Sequence, residues 1–397
     1  MKTEKTQRWR VPVGTVRISP RAKRYVREAL DNDRLAYGPF LRKFEERFAA
    51  EHDCKFAVSC NSGTSALHVA VAALQERGRW KPGDEVLVPA LTFVATANMA
   101  LVQGLKPVFV DVDPRTYNID PERAEAALTR RTRLMMPVHL FGQPCEMGPL
   151  MGLARRKRLK VVEDSCETMF SRWRGRSVGS FGDAACFSTY TAHLLVTGVG
   201  GLVTTNSAPL ATHLRSLVNH GRDSIYLSID QGRSAQVMAR RFRFVRLGYS
   251  YRLTELEGAL GVAQLEERAA LMVKRKRNAL ALMKALRPYE EWLQLPWWPD
   301  YSEHAFMMFP LVLRSETKTA ITDFLERRGI ETRDMLPLTN QPYLHKLFGS
   351  GLERRFPNAA KVNRSGFYIG CHHGLSEGDV DYVAGVFKAF FAGRKRK

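Results

Sequence analysis

The chain has 397 residues, 45% hydrophobic and 25% charged, the proportions of a globular protein with a large core and, at this length, a second smaller unit. These values exclude a mainly disordered, fibrous or mini-protein character. Lys and Arg number 61 against 40 Asp and Glu, and the resulting net charge of +21 favours anionic partners such as nucleic acid, nucleotide diphosphates or anionic surfaces.

The N-terminus, MKTEKTQRWRVPVG, is basic but lacks the apolar stretch of a secretory signal. No run of about 18 apolar residues is present, so no membrane span is expected. The six cysteines (Cys54, Cys60, Cys145, Cys166, Cys186, Cys371) are scattered without a CxxC pair. This points to free thiols in a reducing, cytoplasmic setting, and signals neither a zinc site nor a disulfide framework. From about residue 55 to 205 short apolar runs alternate with amphipathic stretches. KFAVSC is a predicted strand and SGTSALHVAVAALQERG a helix; EVLVPA is a strand and 92–104 a helix. PVFVDV and LMMPVHL are further strands, and RRKRLKVVEDS passes from helix to strand. The alternation predicts a mainly parallel sheet covered by helices on both faces. A long helical pattern follows, LTELEGALGVAQLEERAALMVKRKRNALALMKAL. From about residue 300 the strand FMMFPLVL and the helices KTAITDFLERRG and DVDYVAGVFKAFFAG predict a small α+β domain. The expected division is 1–270 for the N-terminal segment and large domain, and 271–397 for the small domain with its basic tail.

Four residues at three places in this frame carry chemistry. Gly63 and Thr64, in the Ser62-Gly63-Thr64-Ser65 turn that opens a helix, offer backbone N–H groups and hydroxyls at the positive end of the helix dipole, a phosphate cradle; a plain N-cap is the alternative. Phe93 follows a strand, where the ligand crevice of such a sheet opens and an aromatic can stack on a flat ring; a buried core Phe is the alternative. Asp164 ends the apolar strand LKVVEDS, where it can pair with a protonated ring nitrogen or cap a helix.

The stretches GDEVLVPALTFVATANM, PVFVDVDPRTYNID, PVHLFGQPCEM, VVEDSCETMFSRWRGRSVGSFGDAACFS, TGVGGLVTTN and LGYSYRLTELEGALGVAQLE occur in that order. With them the chain, from about residue 12 to 390, resembles the DegT/StrS family of pyridoxal-phosphate enzymes, nucleotide-sugar aminotransferases and dehydratases of fold type I. The resemblance implies an α/β, aspartate-aminotransferase-like large domain with a mainly parallel sheet, a small C-terminal α+β domain, and a homodimer with shared active sites. It implies that Gly63, Thr64 and Ser188 hold the cofactor phosphate, that Phe93 stacks on the pyridine ring, and that Asp164 binds the pyridine nitrogen. Glu167 stands near the ring hydroxyl, where the family usually has Gln or His. Ser250 and Arg252 belong to a Gly-Tyr-x-Tyr stretch that, in the family, reaches the neighbouring subunit's active site; Ser250 stands where Asn is usual.

The departure is at the catalytic position. The family places its Schiff-base lysine five residues after the phosphate-binding serine, and here that position is His193, in Ser188-Thr189-Tyr190-Thr191-Ala192-His193. No lysine occurs between Lys160 and Lys274. An imidazole cannot form the covalent link to the cofactor aldehyde, but it can move protons at neutral pH. The same replacement marks the sugar 3-dehydratases of the family. These hold pyridoxamine 5′-phosphate non-covalently, use the histidine as base, expel the C3 hydroxyl of a 4-keto sugar, and regenerate the cofactor from glutamate. One branch carries a [2Fe–2S] cluster; this chain has no cysteine cluster and is similar to the cluster-free branch exemplified by colitose biosynthesis.

The resemblance therefore implies a lyase of the 3-dehydratase type acting on a 4-keto nucleotide sugar, with pyridoxal or pyridoxamine 5′-phosphate, His193 as base, and no metal. The alternatives are an atypical aminotransferase, an enzyme acting on a modified base carried on nucleic acid, and an inactive homologue that binds cofactor or nucleic acid. Basic clusters at Arg155–Arg158, Arg240–Arg246, Lys274–Arg277 and Arg394–Lys397 keep the nucleic-acid alternative open, although no helix-turn-helix, zinc-finger or RNP motif accompanies them. His139 and His220 are expected to shape the pocket, and Cys371-His372-His373 to form its rim rather than a metal site.

Overall fold

The apolar runs between residues 56 and 205 form one sheet: β1 (Phe56–Cys60), β2 (Glu85–Pro89), β3 (Lys106–Val110), β4 (Thr132–Met135), β5 (Lys160–Asp164), β8 (Ala184–Ser188) and β9 (Gly201–Thr205), with a short hairpin, β6 (Arg172–Trp173) and β7 (Arg176–Ser177), outside it. The computed structural model describes residues 9–222, 242–315 and 317–392. The strand order is β1-β9-β8-β5-β4-β2-β3. Neighbours pair in parallel from β8 to β3, and β9 alone runs antiparallel to both its neighbours. β2 and β8 are buried at every residue, as strands covered on both faces must be, which is why their sequences are apolar without alternation.

Side-chain alternation still sorts the two faces of β5. Val162 joins the largest hydrophobic cluster, whereas Val161 packs with Leu150, Leu153 and Met147 on the opposite face. Asp164 follows Val162, and Glu163 follows Val161. The helix Gly63–Gly78 lies against β8 and β9 and is buried along most of its length from Gly63 to Leu74. The Ser62 hydroxyl accepts from the Ser65 amide at 3.0 Å, a cap of the kind worth about 1 kcal/mol.

Two helices not read from the sequence, Pro20–Asp31 and Pro39–Glu51, precede β1 and pack on the long helix Glu255–Leu286. The carboxylate of Glu255 accepts from the Phe40 and Leu41 amides at 2.6 and 3.1 Å. One buried acid thus ends the orphan N–H groups of another helix. The long helix runs through the expected boundary at residue 270. Ala259 and Val262 pack in the large core, while Ala279, Leu282 and Leu286 pack in a second one.

That second core lies on a four-stranded antiparallel sheet: β10 (Leu293–Gln294), β11 (Phe309–Leu313), β12 (Arg333–Asp334) and β13 (Gly366–Ile369), in the order β10-β11-β13-β12. Phe367 and Ile369 face this core with Val383 and Phe387 of the helix Glu377–Phe391, and the intervening Tyr368 faces the large domain. Val11, near the N-terminus, also packs in the second core through a bridge to Ile330. No helix among the described residues is long and apolar enough to cross a membrane.

Candidate active site

A cavity of about 390 Å³ opens where the parallel strands end at their carboxyl termini, with Met307, Met308, Leu336 and Tyr368 closing it from the small domain. This is the position of the ligand crevice in doubly wound sheets. Its volume lies in the range of small-molecule sites.

One end is built for a phosphate. Gly63 starts its helix directly after the turn that follows β1, and a Cβ there would lie 2.7 Å from Ser188 Cβ and 2.9 Å from Cys166 Sγ. Only glycine permits this approach. Thr64 is exposed toward the cavity, and the Ser188 hydroxyl accepts from the Tyr190 amide at 3.4 Å, leaving its own proton free to be donated. Helix N–H groups and two hydroxyls therefore converge at the positive end of a 16-residue helix.

The floor is Asp164. Its Oδ2 accepts from Thr96 Oγ1 at 2.7 Å and its Oδ1 from the Cys166 amide at 3.2 Å. Burial pushes its pKa up, against the opposing pull of Thr96 and Cys166. Such a carboxylate gains by meeting a protonated ring nitrogen. Glu167 lines the same cavity, and its Oε2 accepts from the Phe141 amide at 3.0 Å. Burial raises its pKa to about 7, with the Asp164 charge adding to the shift. Phe93 caps the next helix, Val94–Val102, and is 56% exposed while lining the cavity. It is thus an aromatic face offered to a ligand rather than a core residue.

His193 sits in the turn after β8 and lines the cavity with Tyr190 and Ala192. Its amide donates to the Tyr190 carbonyl at 2.9 Å, whereas its Nδ1 is buried without a hydrogen-bond partner. Burial lowers its pKa to about 4, so the imidazole is neutral through the physiological range. No lysine is among the residues lining the cavity. The residues present fit a pyridoxal-type group: Gly63, Thr64 and Ser188 for its phosphate, Phe93 for a ring face, Asp164 for the ring nitrogen, and beside them His193, whose Nδ1 is unpartnered among the described residues.

Other expectations are redirected. His139 does not line the cavity. Its Nδ1 accepts from the Cys145 amide at 2.9 Å, so its Nε2–H faces Glu163 Oε2 at 3.1 Å, in a buried structural pair. His372 and His373 do not form the rim: His372 Nε2 bonds the Pro12 carbonyl at 3.1 Å, and neither histidine lines the cavity. No cluster of metal-ligating side chains occurs among the described residues. Ser250 and Arg252 are exposed and bonded to each other at 2.9 Å, with Arg252 also at 3.2 Å from His220 Nε2. None of these three lines this chain's own cavity.

Of the basic clusters, Arg156 pairs with Glu125 and Arg246 with Glu76, and Arg275 is buried with its guanidinium on the Phe306 and Met307 carbonyls. Arg240, Arg241 and Arg394–Lys397 lie outside the described residues. Sequence reasoning missed Thr96, which only its place one turn after Phe93 could have flagged. It also missed the apolar wall from the small domain, for which no local signal exists.

Residues 17–388 match the model of the DegT/DnrJ/EryC1/StrS aminotransferase family. The chain is 35% identical over 379 residues to the GDP-perosamine synthase of Caulobacter vibrioides, covering 94% of this chain and 96% of that protein. It is 33% identical over 379 residues to the dTDP-4-dehydro-2,6-dideoxy-D-glucose 3-dehydratase of Saccharopolyspora spinosa, covering 90% and 82%. Among solved structures, a GDP-4-keto-6-deoxymannose-3-dehydratase with a trapped PLP-glutamate geminal diamine superposes with a TM-score of 0.86 at 25% identity, covering 95% and 99%. The chain belongs to the DegT/DnrJ/EryC1/StrS aminotransferase family, and its fold is the type I fold of pyridoxal-phosphate enzymes.

Proposed function

From that membership we propose that this protein is a pyridoxal/pyridoxamine 5′-phosphate enzyme that removes the C3 hydroxyl of a 4-keto nucleotide sugar, with His193 as its base. The observation that carries the reading is the combination at one cavity: residues suited to hold the cofactor, no lysine in the lining, and a half-buried neutral histidine whose Nδ1 has no partner among the described residues, at the position where the family resemblance implies the lysine. One of the relatives of this chain is itself named as a sugar 3-dehydratase. The net charge of +21 suits a diphosphate-bearing substrate.

The bound cofactor supplies an electron sink for carbanion chemistry. The chain supplies the rest. Gly63, Thr64 and Ser188 fix the phosphate, and Asp164 keeps the ring nitrogen protonated. Phe93 covers one ring face. His193, neutral and lining the cavity, would be the base that takes up a proton from the cofactor's C4′ carbon, and the electron sink the cofactor supplies would allow the C3 hydroxyl of the sugar to leave. Glutamate is the reductant: sugar and glutamate give 3-deoxy sugar, 2-oxoglutarate and ammonia, with the oxygen lost by the sugar balanced by the one gained by the keto acid. Met307, Met308, Leu336 and Tyr368 exclude water from the reacting carbons. The exposed Ser250 and Arg252 act on the cavity of a second copy in a homodimer.

Borohydride reduction followed by intact-protein mass measurement tests the non-covalent cofactor. The expected result is an unmodified chain with cofactor released on denaturation. A reduced cofactor adduct on any lysine would overturn the reading.

A further inference from the structure

His193 Nδ1 has no hydrogen-bond partner among the described residues, while the backbone of its turn is tied by the His193 amide to the Tyr190 carbonyl at 2.9 Å and by the Thr197 amide to the Thr189 carbonyl at 2.9 Å, with the Thr189 and Thr197 hydroxyls 2.6 Å apart at its base. What meets the crest of that turn is the N-terminal segment: a Cβ built on Gly14 would lie 3.8 Å from Ala192 Cα, the residue beside His193. The segment is itself fixed to the small domain at successive residues. The Val11 amide donates to the Gly329 carbonyl at 3.0 Å, and the Glu331 amide to the Val11 carbonyl at 2.9 Å. The Pro12 carbonyl meets His372 Nε2 at 3.1 Å. Since His372 Nδ1 accepts from the Gly374 amide at 3.2 Å, Nε2 carries the proton that Pro12 receives. Gly370 must lack a side chain because the Pro12 carbonyl would lie 2.2 Å from its Cβ.

The anchor nearest the turn is Glu331. It is buried, its Oε2 accepts from the Val13 amide at 2.7 Å, and its Oε1 pairs with Arg333. We propose that Glu331 is a positioning residue for His193: by pinning Val13 it holds Gly14 against Ala192 and sets the turn that carries the base. This rests on the reading of His193 as the base. Glu331 does not itself line the cavity, although it lies near Tyr368, which does.

The test compares wild type, Glu331→Ala, Glu331→Gln and Gly14→Val as full-length proteins, by amide hydrogen exchange and by steady-state kinetics. In Glu331→Ala, exchange over residues 189–195 is expected to accelerate at least ten-fold while β5 and β8 stay protected. The kcat should fall about ten-fold with KM within two-fold. Glu331→Gln keeps an oxygen for the Val13 amide and should restore both. Gly14→Val leaves Glu331 and Tyr368 untouched and should alter exchange in the same turn. Unchanged exchange over 189–195 in both Glu331→Ala and Gly14→Val would overturn the proposal, as would failure of Gln to rescue a folded Ala variant. Should Glu331→Ala lose protection throughout the sheet, Gly14→Val decides alone. Exchange is read without turnover, so a protein that proves inactive toward every sugar would defeat the functional reading while leaving this proposal to its own result.

Discussion

The two sides of the cavity are built on opposite plans. On the floor, Asp164, Ser188 and Gly63 sit at the ends of buried elements, and each is fixed by hydrogen bonds or by contact that leaves no room for a Cβ. His193, in contrast, lies in the turn after β8, its Nδ1 without a partner among the described residues. Neighbouring residues on β5 show the same contrast: Glu163 accepts from the Gly179, Phe181 and Gly182 amides, each at 2.8 Å, whereas Asp164 is met by Thr96 and Cys166 and lines the cavity. The fully satisfied groups hold the fold together. At the cavity an under-satisfied group is one that a ligand can partner, because an unmet buried polar group costs about 1–3 kcal/mol until it finds a partner.

The sharpest way to separate floor from turn is His193→Asn. Turnover is expected to fall on the order of 10²–10⁴, while the cofactor dissociation constant stays within a few-fold because the floor is untouched. Equal losses in binding and turnover would erase the distinction.

Glu167→Gln probes a floor carboxyl through stability. The pKa of Glu167 is raised in the folded protein to about 7, so the folded state binds its proton more tightly than the unfolded state does. The burial cost is absent below the unfolded value near 4.5 and grows as pH rises through 7. Cofactor-free Glu167→Gln should therefore match wild type at pH 4 and exceed it at pH 8 by about 1–3 kcal/mol in denaturant unfolding. A constant difference across pH would deny that this carboxyl is buried uncompensated.

Thr96→Val removes the strongest donor to Asp164. Cofactor affinity is expected to weaken on the order of ten-fold, since hydrogen bonds to charged groups are worth about 1.5–3 kcal/mol and part is recovered by relaxation. Phe93→Ala, at the exposed lip, should cost least, a few-fold in cofactor affinity as expected for a lost stacking contact of about 0.5–1.5 kcal/mol. Both are read by fluorescence titration with pyridoxamine 5′-phosphate. An effect of Phe93→Ala larger than that of Thr96→Val would reverse the ranking of lip and floor.

What the sequence disclosed follows the same divide. The end of β5 was legible because it is a short apolar run closed by a polar residue, which falls in the crevice, whereas Ser188 at the end of β8 entered only through the resemblance. His193 stood out only through the resemblance, since nothing local distinguishes a histidine in a turn. The histidine pair His372-His373 misled because adjacency in sequence says nothing of partners, and the Pro12 carbonyl that engages His372 lies 360 residues away. Tyr368, Met307 and the Gly14–Ala192 contact join segments far apart in the chain, and no period or spacing encodes them. The helices before β1 escaped because they lie ahead of the strand–helix alternation, and their packing on the long helix, with Pro39–Glu51 also against β1, joins segments more than 200 residues apart.

The central claim is that His193 replaces the lysine in a working dehydratase. Mass spectrometry of the sugar after incubation of the protein with pyridoxamine 5′-phosphate, glutamate and a panel of 4-keto nucleotide sugars tests it most directly. The expected product is one oxygen lighter than its substrate and retains a carbonyl, with 2-oxoglutarate formed in equal amount and none of this seen with His193→Asn. An aminated sugar retaining its C3 hydroxyl, or the same deoxygenated product at full rate from His193→Asn, would contradict it.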